Sequence, residues 1–305
     1  MRVVFMGTPG FAVVSLNALV TAGVNVVAVV TSPDKPAGRG RKLNESEVKK
    51  HALSLGIPVL QPERLKSPEF IEELKHYNAD LQVVVAFRML PEAVWNMPAK
   101  GTINLHGSLL PQYRGAAPIN WAVINGEKQT GVTTFFLKQE IDTGNIIASE
   151  KVAIGDEETA GDIHDKLMNT GAELLVKTVR AIEHETYREV TQGEVSNVLG
   201  LKYAPKIFKE DCAIRWNEPT NKVFNLIRGL SPSPTAFCRF QDKTLKIFKS
   251  KPEFTDPGIS PGAFLSDGKS YLKFACIDGF ISATDVQLEG KKRMGVEEFL
   301  RGVRI

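Results

Sequence analysis

No stretch of about 20 apolar residues occurs in these 305 residues, so no α-helical membrane span is expected. Cysteine is equally scarce. Cys212, Cys238 and Cys276 lie far apart, form no C-x-x-C pair and have no histidine at ligand spacing, which argues against a disulfide framework and a zinc site. They read as small buried hydrophobes in a reducing compartment, and no metal is expected. The opening Met1-Arg2-Val3-Val4-Phe5-Met6-Gly7 enters a strand pattern at once and lacks the apolar stretch and cleavage site of a secretory signal, so the expected location is cytoplasmic. Also missing is the dinucleotide fingerprint G-x-G-x-x-G. Gly7-Thr8-Pro9-Gly10 follows the first strand and opens a helix, but Pro9 stands where the middle glycine must let a pyrophosphate approach. That argues against a nicotinamide cofactor.

What is present is an ordinary globular composition, 43% hydrophobic and 24% charged, in a chain long enough for two domains of unequal size. The net charge of +3 hides an asymmetry. Residues 1–200 carry 20 basic against 23 acidic side chains and residues 201–305 carry 18 against 12, giving −3 and +6. A basic final third on a mildly acidic body suits a polyanionic partner, because phosphate binding draws on clustered Lys and Arg.

Strand-like runs at residues 2–6, 26–31, 81–86 and 102–106 alternate with helical patterns at 11–21, 45–55 and 69–76. That alternation is the mark of βαβ crossovers in an α/β fold with a mainly parallel sheet. Pro118 sits at a helix start, and the helix runs to about residue 125. Two further strands, 131–138 and 146–153, are joined by Gln139-Glu140-Ile141-Asp142-Thr143-Gly144 and read as a hairpin. An amphipathic helix over 159–182 closes a first domain, 1–183. Residues 184–206 lose periodicity and read as a linker, and 207–305 holds short strands (236–240, 244–248, 271–275, 280–286) that suit a small β-barrel. No internal repeat is evident.

The chemistry concentrates at the end of the fourth strand, in Asn104-Leu105-His106-Gly107-Ser108-Leu109-Leu110-Pro111. Ligands of open α/β sheets bind at the carboxyl ends of parallel strands. If Leu105 points into the core, alternation sends Asn104 and His106 together to the other face. Asn104 offers an amide donor and His106 a proton carrier, a pair able to hold a carbonyl oxygen that becomes negative. Asp142, on the hairpin turn, could orient His106 and relay protons through water. Taken singly, the same residues also read as a strand-end turn, a structural histidine and an ordinary hairpin aspartate.

The whole string decides between these readings. Asn-x-His-Gly-Ser-Leu-Leu-Pro, followed by Arg114-Gly115-Ala116-Ala117-Pro118 and by Ile141-Asp142-Thr143-Gly144-Asn145-Ile146-Ile147, resembles the folate-dependent formyltransferases. The resemblance extends over nearly the full chain to those members whose acceptor is initiator methionyl-tRNA. It includes Gly7 to Ala12, the segment Pro33 to Arg41, Tyr203 to Ile207 and Gly290 to Met294. It implies a Rossmann-like formyltransferase domain followed by an OB-like barrel. It also implies transfer of the formyl group of 10-formyltetrahydrofolate to the methionine amine of initiator methionyl-tRNA, by a protein expected to be monomeric. On that likeness Asn104, His106 and Asp142 are catalytic, and Ser108, Leu109, Leu110 and Pro111 contact the folate. Phe87-Arg88-Met89 departs from the Gly-containing sequence that many members place beside the pterin.

The segment 32–43 holds Pro33, Pro36, Gly38 and Gly40, which are expected to forbid regular structure, with basic residues between them. Alone it reads as a solvated surface loop. By resemblance Arg39 enters the acceptor stem, and Arg41 and Lys42 contact phosphates, while Lys206, Lys246 and Lys249 support the RNA backbone by charge and shape. Two rivals share these features in part. A formyltransferase acting on a small amine would use the same trio without needing the Arg39 segment or the basic final third. A catalytically idle tRNA-binding module would keep the fold alone.

Overall fold

Val3, Val4, Phe5 and Met6 are wholly buried, the continuous apolar run expected of a strand covered on both faces. In a computed structural model, which describes residues 1–37, 42–195 and 200–303, this run lies in the interior of a seven-stranded sheet. Its strands are β1 (Arg2–Gly7), β2 (Asn25–Val30), β3 (Val59–Leu60), β4 (Leu81–Val85), β5 (Thr102–His106), β6 (Gln129–Phe136) and β7 (Ile146–Ala153). They stand in the order β7-β6-β5-β4-β1-β2-β3. The five strands from β5 to β3 pair in parallel, whereas β6 is antiparallel to β5, with His106 opposite Thr133 and Asn104 opposite Phe135. The sheet is thus mainly parallel with an antiparallel edge, as the alternation and the hairpin predict.

Helices α1 (Gly10–Thr21), α2 (Glu47–Ser54) and α3 (Pro68–His76) fill the crossovers. The side chains of Ser46 and Ser67 cap the latter two, accepting from the main-chain N–H of Lys49 and Phe70. Gly7 is explained without a cofactor. A Cβ there would stand 2.5 Å from the Ala12 Cβ, so the close approach of β1 and α1 requires glycine. The segment expected to be irregular is partly regular: Lys35–Ala37 pairs with Lys42–Asn44 in an antiparallel ribbon, Pro36 opposite Leu43. A two-stranded ribbon has only edges, so proline's missing N–H breaks no second ladder. The base of this ribbon is tied down by Asp34, which accepts from Lys49 Nζ at 2.5 Å and from Gln61 Nε2 at 2.7 Å.

The chain divides into two compact units. One comprises residues 1–114, 131–152 and 164–202; the other comprises 115–130, 153–163 and 203–305. Within the second, helix α4 (Pro118–Ile124) carries Pro118 in its first turn, as expected. The long helix α5 (Ala160–Glu183) is opened by a reciprocal cap, in which Thr159 N–H donates to the Asp162 carboxylate and Asp162 N–H to Thr159 Oγ1.

The second unit also holds strands β8 (Ala236–Phe240), β9 (Lys243–Glu253), β10 (Phe264–Ser266), β11 (Leu272–Ala275), β12 (Phe280–Leu288) and β13 (Met294–Gly295). They form a curled antiparallel sheet in the order β8-β9-β12-β11-β10, with β13 on β12, the barrel-type domain that the short strands predict. Two helices absent from the sequence reading, α6 (Thr220–Gly229) and α7 (Val296–Arg301), complete it. Val223, Ile227 and Phe299 pack with Leu245, Phe274 and Ile281 in one core. The three cysteines are free and buried, and burial pushes the thiol of Cys238 up to about 12 and that of Cys276 to about 11.

Candidate active site

Strand β5 ends in Asn104-Leu105-His106, and its pleat separates these side chains as expected. Leu105 lies against Gly171 of α5, and Asn104 and His106 share the opposite face. His106 is 7% exposed and its ring meets Phe135 edge-on, with centroids 6.5 Å apart. Its Nε2 bonds the main-chain oxygen of Tyr113 at 2.9 Å. A carbonyl oxygen only accepts, so Nε2 carries a hydrogen and Nδ1 is the nitrogen left for proton exchange. Nδ1 faces Asp142, whose Oδ2 is 3.8 Å away, a distance of electrostatic contact rather than a hydrogen bond. The half-buried Asn104 amide makes no hydrogen bond among the described residues.

Asp142 reaches this position from the turn between β6 and β7, in the left-handed region at φ 54°. The turn closes tightly. Phe136 N–H donates to the Asn145 carbonyl at 3.0 Å, and a Cβ on Gly144 would overlap the Phe136 carbonyl. Only glycine permits that approach. The three residues expected to carry the reaction therefore converge from one strand end and one hairpin turn.

The segment expected to touch folate is turned inward. Ser108, Leu110 and Pro111 are buried, and the Ser108 hydroxyl donates to the Gln112 carbonyl at 2.6 Å. Thr133 Oγ1 donates to the Ser108 carbonyl at 2.7 Å and accepts from Leu110 N–H at 3.2 Å. Leu110 joins Phe135 and Ile146 in a small apolar cluster, with Leu137 against it. Of the four side chains, Leu109 alone is partly exposed. At the departing sequence Phe87-Arg88-Met89, the Arg88 guanidinium donates to the carbonyls of Pro62 and Glu63, and burial holds it below the usual arginine range. Met89 is exposed.

Arg39 and Arg41 lie outside the described residues, and Lys42 opens the second strand of the ribbon. Lys206, Lys246 and Lys249 are exposed. Three residues apart on a regular strand, Lys246 and Lys249 would face opposite ways; the register of β9 against β12 shifts between Ile247 and Ser250, and both emerge to solvent. Arg293, another member of the basic stretch, is occupied instead by both carboxylate oxygens of Asp285 and by the Phe248 ring at 4.2 Å. Among the described residues no group of three His, Cys, Asp or Glu could hold a metal, and no helix is long and apolar enough to cross a membrane.

Sequence reasoning missed Gln192, which is 5% exposed and bonds both the Asp142 turn and Arg114. It stands in a segment without periodicity, and a lone buried glutamine leaves no pattern to read.

Residues 1–179 match the formyl transferase family and residues 206–304 the C-terminal domain of formyl transferases. The chain is 52% identical over 310 residues to the methionyl-tRNA formyltransferase of Bacteroides thetaiotaomicron, a match covering 100% of this chain and 96% of that one. It is 48% identical over 307 residues to the methionyl-tRNA formyltransferase of Flavobacterium johnsoniae, covering 99% and 96%. Among solved structures, WlaRD, a sugar 3N-formyl transferase crystallised with dTDP and 5-N-formyl-THF, superposes with a TM-score of 0.67 at 21% identity over 96% of this chain and 99% of its own. HypX from Aquifex aeolicus in complex with tetrahydrofolic acid gives 0.66 at 20% identity, over 99% of this chain and 48% of its own. At such identities the likeness is one of fold.

Proposed function

Since the chain belongs to the methionyl-tRNA formyltransferase family, we propose that it transfers the formyl group of 10-formyltetrahydrofolate to the α-amine of methionine on initiator methionyl-tRNA. The observation that carries this reading is the convergence at the end of β5. An uncommitted Asn104 amide stands beside a histidine whose Nε2 is held by Tyr113 and whose Nδ1 faces Asp142.

The reaction joins the formyl carbon to the α-nitrogen and breaks its bond to N10 of the folate, while a proton leaves the former nitrogen and one reaches the latter. The folate supplies an activated formyl group; the protein supplies alignment and charge stabilisation. Asn104 donates an N–H to the formyl oxygen as it becomes negative. His106 carries the proton at Nδ1, and the Asp142 carboxylate balances the charge arriving on the ring. The site fits such a donor in that the half-buried Asn104 amide, which bonds nothing among the described residues, has an N–H to offer its formyl oxygen. With Ser108, Leu110 and Pro111 turned inward, the main chain from Ser108 to Pro111 and the Leu109 side chain would hold the folate.

The acceptor would be held by charge. Lys206, Lys246 and Lys249 would meet RNA phosphates, together with Arg41 and Lys42, and Arg39 would enter the acceptor stem. The decisive assay offers the protein 10-formyltetrahydrofolate with charged initiator tRNA, glycinamide ribonucleotide or an amino-sugar nucleotide. Formylation of the tRNA alone is expected. Formylation of a small amine without the tRNA would overturn the reading.

A further inference from the structure

Gln192 uses its entire amide. Its Nε2 donates to the carbonyls of Asp142 and Gly144, at 2.8 and 2.9 Å, and its Oε1 accepts from Arg114 Nε and Nη2, at 2.9 and 2.6 Å. Two N–H donors and two lone pairs are the full capacity of the group. The orientation of the amide is also determined, because a flip would set its NH2 against a guanidinium and its oxygen against two carbonyls. Such a buried and fully engaged side chain, in the short helix Gln192–Val195, joins segments 50 and 78 residues away.

These two segments are the ones that grip His106. One carries Asp142, which faces Nδ1; the other is Arg114, the residue after Tyr113, whose carbonyl accepts from Nε2. The Asp142 turn holds a left-handed aspartate, a conformation that costs energy and persists where surrounding bonds fix it. Resting on the proposed roles of His106 and Asp142, we infer that Gln192 is a positioning residue for the reaction. A single amide sets both the carboxylate in front of the imidazole and the main chain behind it, without touching either substrate.

A displacement of about 1 Å at reacting groups costs up to ~10²-fold in rate. Gln192→Ala is therefore expected to lower kcat by ~10- to 100-fold while KM for tRNA and folate stays within ~3-fold, the signature of lost alignment rather than lost binding. Gln192→Glu keeps the acceptor for Arg114 and replaces the donor toward Asp142 and Gly144, and it should lower kcat similarly. The discriminating measurement is a double-mutant cycle with Asp142→Asn. If Gln192 acts through Asp142, adding Gln192→Ala to that variant should cost several-fold less than it costs the wild type, the remainder reflecting its hold on the main chain behind His106.

Losses that multiply in full would overturn the inference, as would a kcat within ~2-fold of wild type in either folded Gln192 variant. The glutamate variant carries the test if the alanine variant does not fold. An Asp142→Asn protein with undiminished turnover would instead remove the proposed role of Asp142, a failure separable from that of Gln192.

Discussion

The Nε2 hydrogen of His106 is donated to the main-chain oxygen of Tyr113 at 2.9 Å. This bond requires the neutral imidazole to be the Nε2–H tautomer, with its lone pair on Nδ1 toward Asp142. Nitrogen-15 NMR of the imidazole at alkaline pH should show one protonated nitrogen, Nε2, for His106. A signal from the Nδ1–H form would mean that the ring does not sit as described.

Each member of the trio should fail in its own way. Asn104→Ala removes an oxyanion donor, and a loss of ~10²- to 10³-fold in kcat is expected. His106→Ala removes the proton carrier, for ~10²- to 10⁴-fold. Asp142→Asn keeps the shape and loses the charge opposite Nδ1. Single-turnover formylation measures these losses, and filter binding should show tRNA affinity unchanged; near-wild-type turnover in any of the three would remove that residue from the mechanism.

Acid should weaken the tie at the base of the ribbon. The hydrogen bond from Lys49, then that from Gln61, holds the Asp34 carboxyl below the ordinary carboxylate value of 3.8. A depressed value means that the folded state binds fewer protons, so the stabilisation is complete above the ordinary range and disappears as pH falls through the depressed value. Thermal melts should show Asp34→Asn less stable than wild type at neutral pH, with the gap closing in acid below the carboxylate range. A gap independent of pH would show that the charge of Asp34 contributes nothing.

Salt should report the contact with RNA. The variant Lys246→Ala with Lys249→Ala should raise KM for tRNA and leave KM for folate unchanged. The dependence of log kcat/KM on log salt should become shallower by ~1 for each phosphate contact removed. An unchanged slope would place these lysines away from the acceptor. Arg39→Lys, judged on matched and mismatched acceptor stems, separately tests the reading of initiator tRNA, because lysine cannot reproduce a bidentate guanidinium contact.

Local patterns were legible where a neighbour in sequence is also a neighbour in space. The pleat from Asn104 to His106, the first-turn proline of α4 and the hairpin around Asp142 all follow from spacings of a few residues. Helix α6 carries a weak signal of this kind, Val223 and Ile227 one turn apart, in a run of only 10 residues. The exposure of both Lys246 and Lys249 depends on an irregular register against β12, which the sequence of β9 alone does not state. Gln192 was illegible for a related reason. Two of its four bonds run to main-chain oxygens, which every residue possesses, and the other two come from an arginine 78 residues away in the chain, so nothing near it in sequence marks it.

The second unit is assembled from three separate stretches of chain, and this bears on how the protein can be cut. Asn120 of α4 donates to the Gly229 carbonyl at 2.8 Å, Gly161 N–H to the Ser231 carbonyl at 3.0 Å, and the largely buried Arg228 to the carbonyl of Glu158 at 3.0 Å. A recombinant fragment starting near Tyr203 would carry the sheet but lack all three partners, leaving buried polar groups exposed or unpaired. A nick in the chain ahead of Tyr203 would therefore leave the second unit shared between two pieces, joined by these bonds and no longer by the chain.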